Sequence, residues 1–302
     1  MSSREFHFGL IGFPLEHSFS PRLHQAALEA CELKGEYQLF PVPPGGGRSA
    51  ALASLFEGMR SGRLHGLNVT IPHKQAVIEH LDRLTPAARA IGAVNTIFRL
   101  DNLIVGDNTD APGFLADLRR HYPDDGHHSQ IALIMGAGGS ARAVAYALVQ
   151  AGWGIVIAAR RLAQAQEVVA ALRSPVVQAT GEPGQCLLAV PFDPTAIAGR
   201  LLRLQNEQQA KIVLVNTTPL GMLPRIGESP WPEEVPLPEA AFVYDLVYNP
   251  PETLLVARAR RAGLLAANGA GMLVEQAALA FERWTGLEAP RAAMWHVMTD
   301  GG

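Results

Sequence analysis

The residues that can do chemistry fall into a nucleotide-binding turn and several polar clusters at strand ends. Gly136-Ala137-Gly138-Gly139-Ser140-Ala141 follows the apolar run Ile131-Ala-Leu-Ile-Met135 and opens an alanine-rich stretch of helical pattern. This is the Gly-x-Gly-x-x-Ala form of a dinucleotide-binding turn in its strand–turn–helix context. Gly136 permits the tight turn, Gly138 lets the backbone approach a pyrophosphate, and Ala141 lets helix and strand pack closely. The phosphates then meet free N–H groups and the positive dipole end of the helix. The next strand, Ile155-Val-Ile-Ala-Ala159, ends in Arg160-Arg161, where an NAD site would place an acidic residue for the ribose hydroxyls. Two guanidiniums suit a 2′-phosphate, so NADP is the expected cofactor; the competing reading is a solvated helix start.

The other clusters precede that turn. His17-Ser18-Phe19-Ser20-Pro21 offers two hydroxyls two residues apart. Ser20 reads equally as an N-cap with Pro21 at the first helical position, which leaves Ser18 free. Asn68-Val-Thr70-Ile-Pro72-His-Lys74 places a strand end, a proline and a first-turn lysine in succession. A cation there opposes the helix dipole, although a solvated surface lysine is the ordinary case. Gly106-Asp107-Asn-Thr-Asp110 is either a solvated linker whose Asp110 caps the next helix, or the partner of Lys74. In the second reading each charge stabilises the other and the lysine is oriented for proton transfer. Asn95, in Ala93-Val-Asn95-Thr96, adds an amide. His7, His17, His24, His65 and His73 have no metal-ligand spacing with acids or cysteines, so they read as surface or packing residues and no metal is expected.

These positions need a scaffold. At 302 residues, 48% hydrophobic and 18% charged, the chain suits a soluble globular protein of one large or two ordinary domains. A net charge of −3 gives no case for nucleic acid or anionic membranes, and no apolar run reaches transmembrane length. Cys31 and Cys186 alone make no disulfide scaffold, and the start lacks signal-peptide character, so a reducing cytoplasm is expected. Strands are expected at 6–11, 37–42 and within 64–71, and helices at 21–33, 49–59 and 74–81. This alternation implies a parallel-type α/β sheet. One domain then ends near 106–113, before a helix at 114–120 and a polar run at 123–130. Further strands at 211–215 and 243–247 extend the nucleotide domain. The breaker-rich 224–238 reads as a mobile surface loop, 175–185 as a peripheral insertion, and 272–284 as an amphipathic helix suited to pack back on the first domain.

Taken in order, these strings resemble the shikimate dehydrogenase family over nearly the whole chain. Further matching strings are Gly9-Leu-Ile-Gly-Phe-Pro14, Gly92-Ala-Val-Asn-Thr96, Asn216-Thr-Thr-Pro-Leu-Gly-Met222, Tyr244-Asp-Leu-Val-Tyr248 and Gly269-Ala-Gly-Met-Leu-Val-Glu-Gln276. The resemblance implies an α/β enzyme of two domains: an N-terminal substrate domain with a mainly parallel sheet, at 1–110 plus a return at about 270–302, and a Rossmann-type NADP domain at 111–269. It implies reduction of 3-dehydroshikimate to shikimate with NADPH, on the route to aromatic amino acids. By that resemblance Ser18 and Ser20 bind the substrate carboxylate, Thr70, Asn95 and Gln276 grip ring hydroxyls, and Tyr248 lies close by. Lys74 and Asp110 form the catalytic pair, Met222 and Gly269 lie near the nicotinamide, and Thr217 joins the glycine turn in holding the cofactor.

The chain departs from the family's Asn-Arg-Thr-x-x-Arg string, reading Ala159-Arg160-Arg161-Leu-Ala-Gln164, and has Asn268 where an Asp is common. The alternatives are a quinate/shikimate or aminoshikimate dehydrogenase using NAD or NADP, and a catalytically silent nucleotide sensor on the same fold. A homodimer is left open.

Overall fold

The computed structural model describes residues 5–45, 48–122, 129–173 and 186–299; the expected insertion at 175–185 and most of the polar run at 123–130 lie outside them. The chain divides into two compact units, Met1–Gly113 with Val274–Gly302, and Phe114–Leu273. Among the described residues no helix is long and apolar enough to cross a membrane.

The first unit is built on a six-stranded sheet of β1 (Phe6–Gly12), β2 (Gly35–Pro41), β3 (Gly66–Val69), β4 (Arg83–Leu84), β5 (Thr96–Leu100) and β6 (Leu103–Asp107). The order is β2-β1-β3-β5-β6-β4. β1 pairs parallel with β2 and β3, β4 pairs parallel with β6, and β5 runs antiparallel to both neighbours. Only Asp101 and Asn102 separate β5 from β6, too few for a parallel crossover, so a hairpin is forced, with Asp101 at φ 54°. Helices α1 (Ser20–Ala30), α2 (Arg48–Arg60) and α3 (Pro86–Ile91) belong to this unit. Phe56 and Met59 of α2 bury against Leu67, Val69, Ile97 and Ile104 of the sheet.

The helix expected over 74–81 is a 3-10 turn, Ala76–His80. The Lys74 carbonyl accepts from the Val94 amide at 2.7 Å, which removes it from helical bonding and leaves Lys74 ahead of the turn. No first-turn dipole therefore opposes its charge.

In the second unit, β7 (Gln130–Met135), β8 (Gly154–Ala159), β9 (Leu187–Pro191), β10 (Lys211–Asn216), β11 (Phe242–Asp245) and β12 (Ala266–Ala267) form a sheet ordered β12-β11-β10-β7-β8-β9. Every pairing is parallel. Numbered within the unit this is 3-2-1-4-5-6, the doubly wound dinucleotide-binding order. Strands β7, β8 and β11 are buried at every residue, as a sheet covered on both faces requires. Helices α5 (Gly139–Gln150), α6 (Leu162–Leu172), α7 (Pro194–Gln208) and α8 (Leu254–Arg261) follow its strands. The chain passes between units within α4 (Asp110–His121) and α9 (Ala270–Thr285), and α10 (Arg291–Thr299) closes the fold.

The segment 224–238 is not a free surface loop. Trp231 within it is fully buried among Leu133, Leu214 and Val243, and its indole N–H donates to the Val235 carbonyl at 2.9 Å. The Arg258 guanidinium also donates to the carbonyls of Pro232 and Val235. Breaker spacing concealed a core residue.

Trp284 of α9 fixes the C-terminal return in the first unit. Its indole stacks on Phe8 at 4.6 Å and donates to the Ile97 carbonyl at 3.0 Å. Gly66 supplies the slot, because a β-carbon there would overlap the indole nitrogen. Gly66→Ala is expected to lower unfolding free energy by about 1–3 kcal/mol, the scale of overpacking, read by urea denaturation followed through tryptophan fluorescence.

Candidate active site and dinucleotide site

The polar cluster of the first unit centres on an ion pair. Lys74 Nζ lies 2.5 Å from Asp110 Oδ2, with side chains only 11% and 6% exposed. The second carboxylate oxygen, Oδ1, accepts from Asn95 Nδ2 at 2.9 Å. That same amide nitrogen lies 2.9 Å from Thr109 Oγ1 and 3.2 Å from Gln276 Oε1. The orientation of the amide is determined, because Asn95 Oδ1 faces the Thr109 N–H at 2.7 Å, which can only donate.

Asp110 is the first residue of α4, yet it does not cap the helix. Asn108 Oδ1 takes that role by accepting from the Ala111 amide at 3.2 Å. Asp110 is thereby free to face Lys74. Asp107 is equally committed elsewhere, accepting from Thr85 Oγ1, the Asn108 amide and Arg283 Nε. Gln276 reaches Asn95 because Gly113 lets α4 and α9 approach closely; a β-carbon at Gly113 would meet the Gln276 amide nitrogen at 2.8 Å.

Ser18 precedes α1, and its hydroxyl accepts from the Ser20 amide at 3.3 Å. Ser20 is not the N-cap: Phe19 holds that position with no side-chain cap bond, and Ser20 begins the helix. Ser20 is buried and Ser18 half-buried. Thr70 directly follows β3, its amide bonded to the Ile11 carbonyl at 2.8 Å, and its methyl occupies the space left by Gly12.

In the second unit the glycine turn lies at the C-terminal end of β7. Gly136 has φ 118°, a left-handed conformation, and a β-carbon there would strike Thr217 Oγ1 at 2.5 Å. Thr217 Oγ1 donates to the Met135 carbonyl at 2.7 Å, so its hydroxyl braces the turn. Gly138 is the N-cap of α5, with no side-chain cap and open space within 4 Å of where its β-carbon would sit. Ala137, Gly139 and Ser140 are not fully buried, while Ala141 is buried against the sheet. A helix N-terminus with its cap left open and backbone exposed fits a pyrophosphate. Arg160 and Arg161 follow β8, both exposed, and Arg161 Nε donates to Gln164 Oε1 at 3.1 Å. Their charge fits a 2′-phosphate.

Met222 is 38% exposed and Tyr248 half-buried, both in segments that follow sheet strands. Gly269 is required by close packing, because a β-carbon would overlap the Leu246 carbonyl oxygen. Asn268, in place of the common Asp, accepts from the Ala270 amide at 3.0 Å at the start of α9.

Comparison with known proteins decides the family. A family model for the shikimate dehydrogenase substrate binding domain matches residues 10–97, and one for the shikimate 5′-dehydrogenase C-terminal domain matches residues 269–299. A protein named shikimate dehydrogenase (NADP(+)) from Moorella thermoacetica is 41% identical over 297 residues, 96% of this chain and 92% of that one. The chain belongs to the shikimate dehydrogenase family. A crystal structure of a shikimate dehydrogenase in complex with NADP+ aligns with TM-score 0.81 and 34% identity, covering 98% of this chain and 95% of that one. The Thermus thermophilus enzyme, in complex with NADP(H) and shikimate, aligns with TM-score 0.77 and 34% identity over 98% and 99% of the two chains.

Within a shikimate dehydrogenase fold, the first unit brings Lys74, Asp110, Asn95 and Gln276 into one bonded cluster. Ser18, Ser20 and Thr70 lie on neighbouring strand-to-helix connections, outside that bonded cluster. Sequence reasoning missed Tyr37, Asn68, Thr96 and Thr109, whose side chains bond behind Asn95. The available signal was a polar Asn68 and Thr96 inside short strands, paired across β3 and β5.

It also missed Asp245, at the end of β11. Burial pushes this carboxyl up to about 6, against the lowering effect of bonds from Thr253, the Val247 amide and Asn216. The native state therefore binds the proton more tightly than the unfolded chain does. Stability from this group is greatest in acid and is lost as pH rises from about 4 to 6, by on the order of 3 kcal/mol. Asp245→Asn keeps an oxygen for Val247 and Asn216 and should flatten that part of the profile, stabilising the variant relative to wild type above pH 6. Urea melts from pH 4 to 8 measure this.

Proposed function

We propose that this chain catalyses the reversible, NADP(H)-dependent reduction of 3-dehydroshikimate to shikimate in the cytoplasm, with Met1–Gly113 and the C-terminal return binding substrate and Phe114–Leu273 binding cofactor. The observation that carries this reading is the buried Lys74–Asp110 pair, joined to Asn95 and Gln276, in a chain of this family. NADPH, when bound, supplies the hydride.

Gly136, Ala137, Gly138, Gly139, Ser140, Ala141 and Thr217 would hold the pyrophosphate, Arg160 and Arg161 the 2′-phosphate, and Met222 and Gly269 the nicotinamide end. Ser18 and Ser20 suit a carboxylate through their hydroxyls, and Thr70, Asn95, Gln276 and Tyr248 suit ring hydroxyls. Reduction of a ring ketone puts negative charge on its oxygen. Lys74 Nζ donates the proton there, and in the reverse direction removes it. Asp110 holds the ammonium in place and stabilises its charge at 2.5 Å. Asn95 fixes the carboxylate, so the lysine faces a rigid partner.

Lys74→Ala should reduce kcat by roughly 10²–10⁴-fold, the scale of a positioned acid–base group, with the variant still folded by circular dichroism. A near-normal kcat would sink the assignment. Steady-state assays with shikimate and quinate, each with NADP+ and NAD+, test the activity through absorbance of the reduced cofactor. Turnover with shikimate and NADP+ is expected. Turnover with quinate and NAD+ alone would overturn it, and nucleotide binding with no turnover on any pair would favour a sensor. Arg160→Ala should weaken NADP+ binding about tenfold while leaving NAD+ nearly unchanged, measured by titration calorimetry.

A further inference from the structure

Behind the ion pair runs a chain of buried polar side chains that no proton-transfer step uses. Tyr37 on β2 donates its hydroxyl to Asn68 Oδ1 at 2.9 Å. Asn68 Nδ2 donates to the Asn95 carbonyl at 3.1 Å and to Thr96 Oγ1 at 3.2 Å. Thr96 Oγ1 donates to Asn95 Oδ1 at 3.1 Å, and Asn95 Nδ2 donates to Asp110. All five residues are buried, Asn68 at 4% exposed and Thr96 at 0%.

The two amide orientations in this chain are determined. The Asn95 carbonyl can only accept, so the Asn68 nitrogen faces it and the Asn68 oxygen faces Tyr37. The Tyr37 hydroxyl must therefore donate; the Thr96 hydroxyl lies 3.1 Å from Asn95 Oδ1 and 3.0 Å from Thr109 Oγ1, which itself accepts from Asn95 Nδ2, so Thr96 is joined to the Asn95 side chain directly or through Thr109. Such chains polarise cooperatively, and a buried member left without its partner is costly. If the Asn68 amide turned over, its oxygen would oppose the Asn95 carbonyl, so loss of the Tyr37 donor cannot be repaired by a flip.

The surroundings hold Tyr37 independently of its hydroxyl. Its ring stacks on His24 at 4.5 Å with only 3° between planes, and Trp284 lies beyond at 6.4 Å. Burial pushes the His24 imidazole down to about 3, so it is a neutral stacking surface. A phenylalanine would keep this packing and lose the hydroxyl that bonds Asn68.

We propose that Tyr37 is a positioning residue for the Lys74–Asp110 pair, acting through Asn68, Thr96 and Asn95. The proposal rests on reading that pair as the proton-transfer machinery. The Asn95 backbone, held by the Val69 amide at 2.8 Å and by Asn68, is the joint through which the Tyr37 hydroxyl sets where Asp110 is gripped.

The test is a kinetic cycle with wild type, Tyr37→Phe, Lys74→Ala and the double variant, using shikimate and NADP+, with thermal melts on each. Tyr37→Phe should lower kcat about 3- to 10-fold, the scale of one buried neutral hydrogen bond, and leave KM for NADP+ unchanged. In the Lys74→Ala background the same change should have no further effect on kcat, because no lysine remains to be positioned. An equal loss in both backgrounds would mark a general structural role and overturn the proposal, as would an unchanged kcat in Tyr37→Phe. A near-normal kcat for Lys74→Ala would instead overturn the underlying assignment of the pair. Should Tyr37→Phe fail to fold, Thr96→Val cuts the next hydroxyl in the chain and enters the same cycle with the same expected outcomes.

Discussion

A lysine and a carboxylate 2.5 Å apart, both nearly buried, impose the constraint from which the first unit's polar architecture follows. Removing two charges from water costs several kcal/mol per ion, and mutual attraction offsets that only when the remaining lone pairs are satisfied. Asp110 has a second oxygen to satisfy, and Asn95 is the donor that does it. Asn95 must then be held, so its oxygen takes the Thr109 amide and its carbonyl takes the Val69 amide. A well-packed apolar pair of similar volume would serve stability as well or better. Folding stability alone therefore does not account for the arrangement.

The same constraint explains which parts of the site could be read in advance. The glycine turn was legible because its logic is local: a strand, a left-handed glycine and a helix start occupy consecutive residues. The pairing of Lys74 with Asp110 was one of two readings, and local structure could not choose between them. What decided it was Asn108 taking the capping bond and the Lys74 carbonyl pairing with Val94, both products of tertiary placement. Tyr37, Asn68 and Thr96 gave only the weak signal of polar side chains inside short strands. Their bonds span 31 and 28 residues, and a polar side chain inside a short strand looks the same whether it is satisfied or not. Trp231 was hidden in the opposite way, by the prolines and glycines around it, although it is the largest fully buried side chain among the described residues. The helix over 74–81 failed because its apolar spacing is met equally by a 3-10 turn.

The glycines of the second unit show that one residue type answers three different requirements. Gly136 needs a left-handed backbone, Gly269 needs contact with the Leu246 carbonyl, and Gly138 needs neither. At Gly138 a β-carbon would meet nothing among the described residues, so packing does not require glycine there. Gly138 sits at the uncapped end of α5, where an anion would gain most from the helix.

The departure after β8 can be argued in the same terms. The family string has a second arginine where this chain has Gln164, and an adjacent threonine where it has Arg161. The two changes are physically linked, because Gln164 Oε1 accepts from Arg161 Nε at 3.1 Å. A glutamine in the first turn of α6 thus holds an exposed guanidinium that would otherwise sample many rotamers. Holding it through Nε leaves both terminal nitrogens of the fork free, and those can still present two parallel donors to a phosphate. An arginine at 164 could not play this part, since it offers no acceptor and would repel Arg161. The chain thus keeps two arginines after β8, Arg160 and Arg161, the second steadied by Gln164. Ala159, buried where the family string has an asparagine, lacks that side chain's neutral donor.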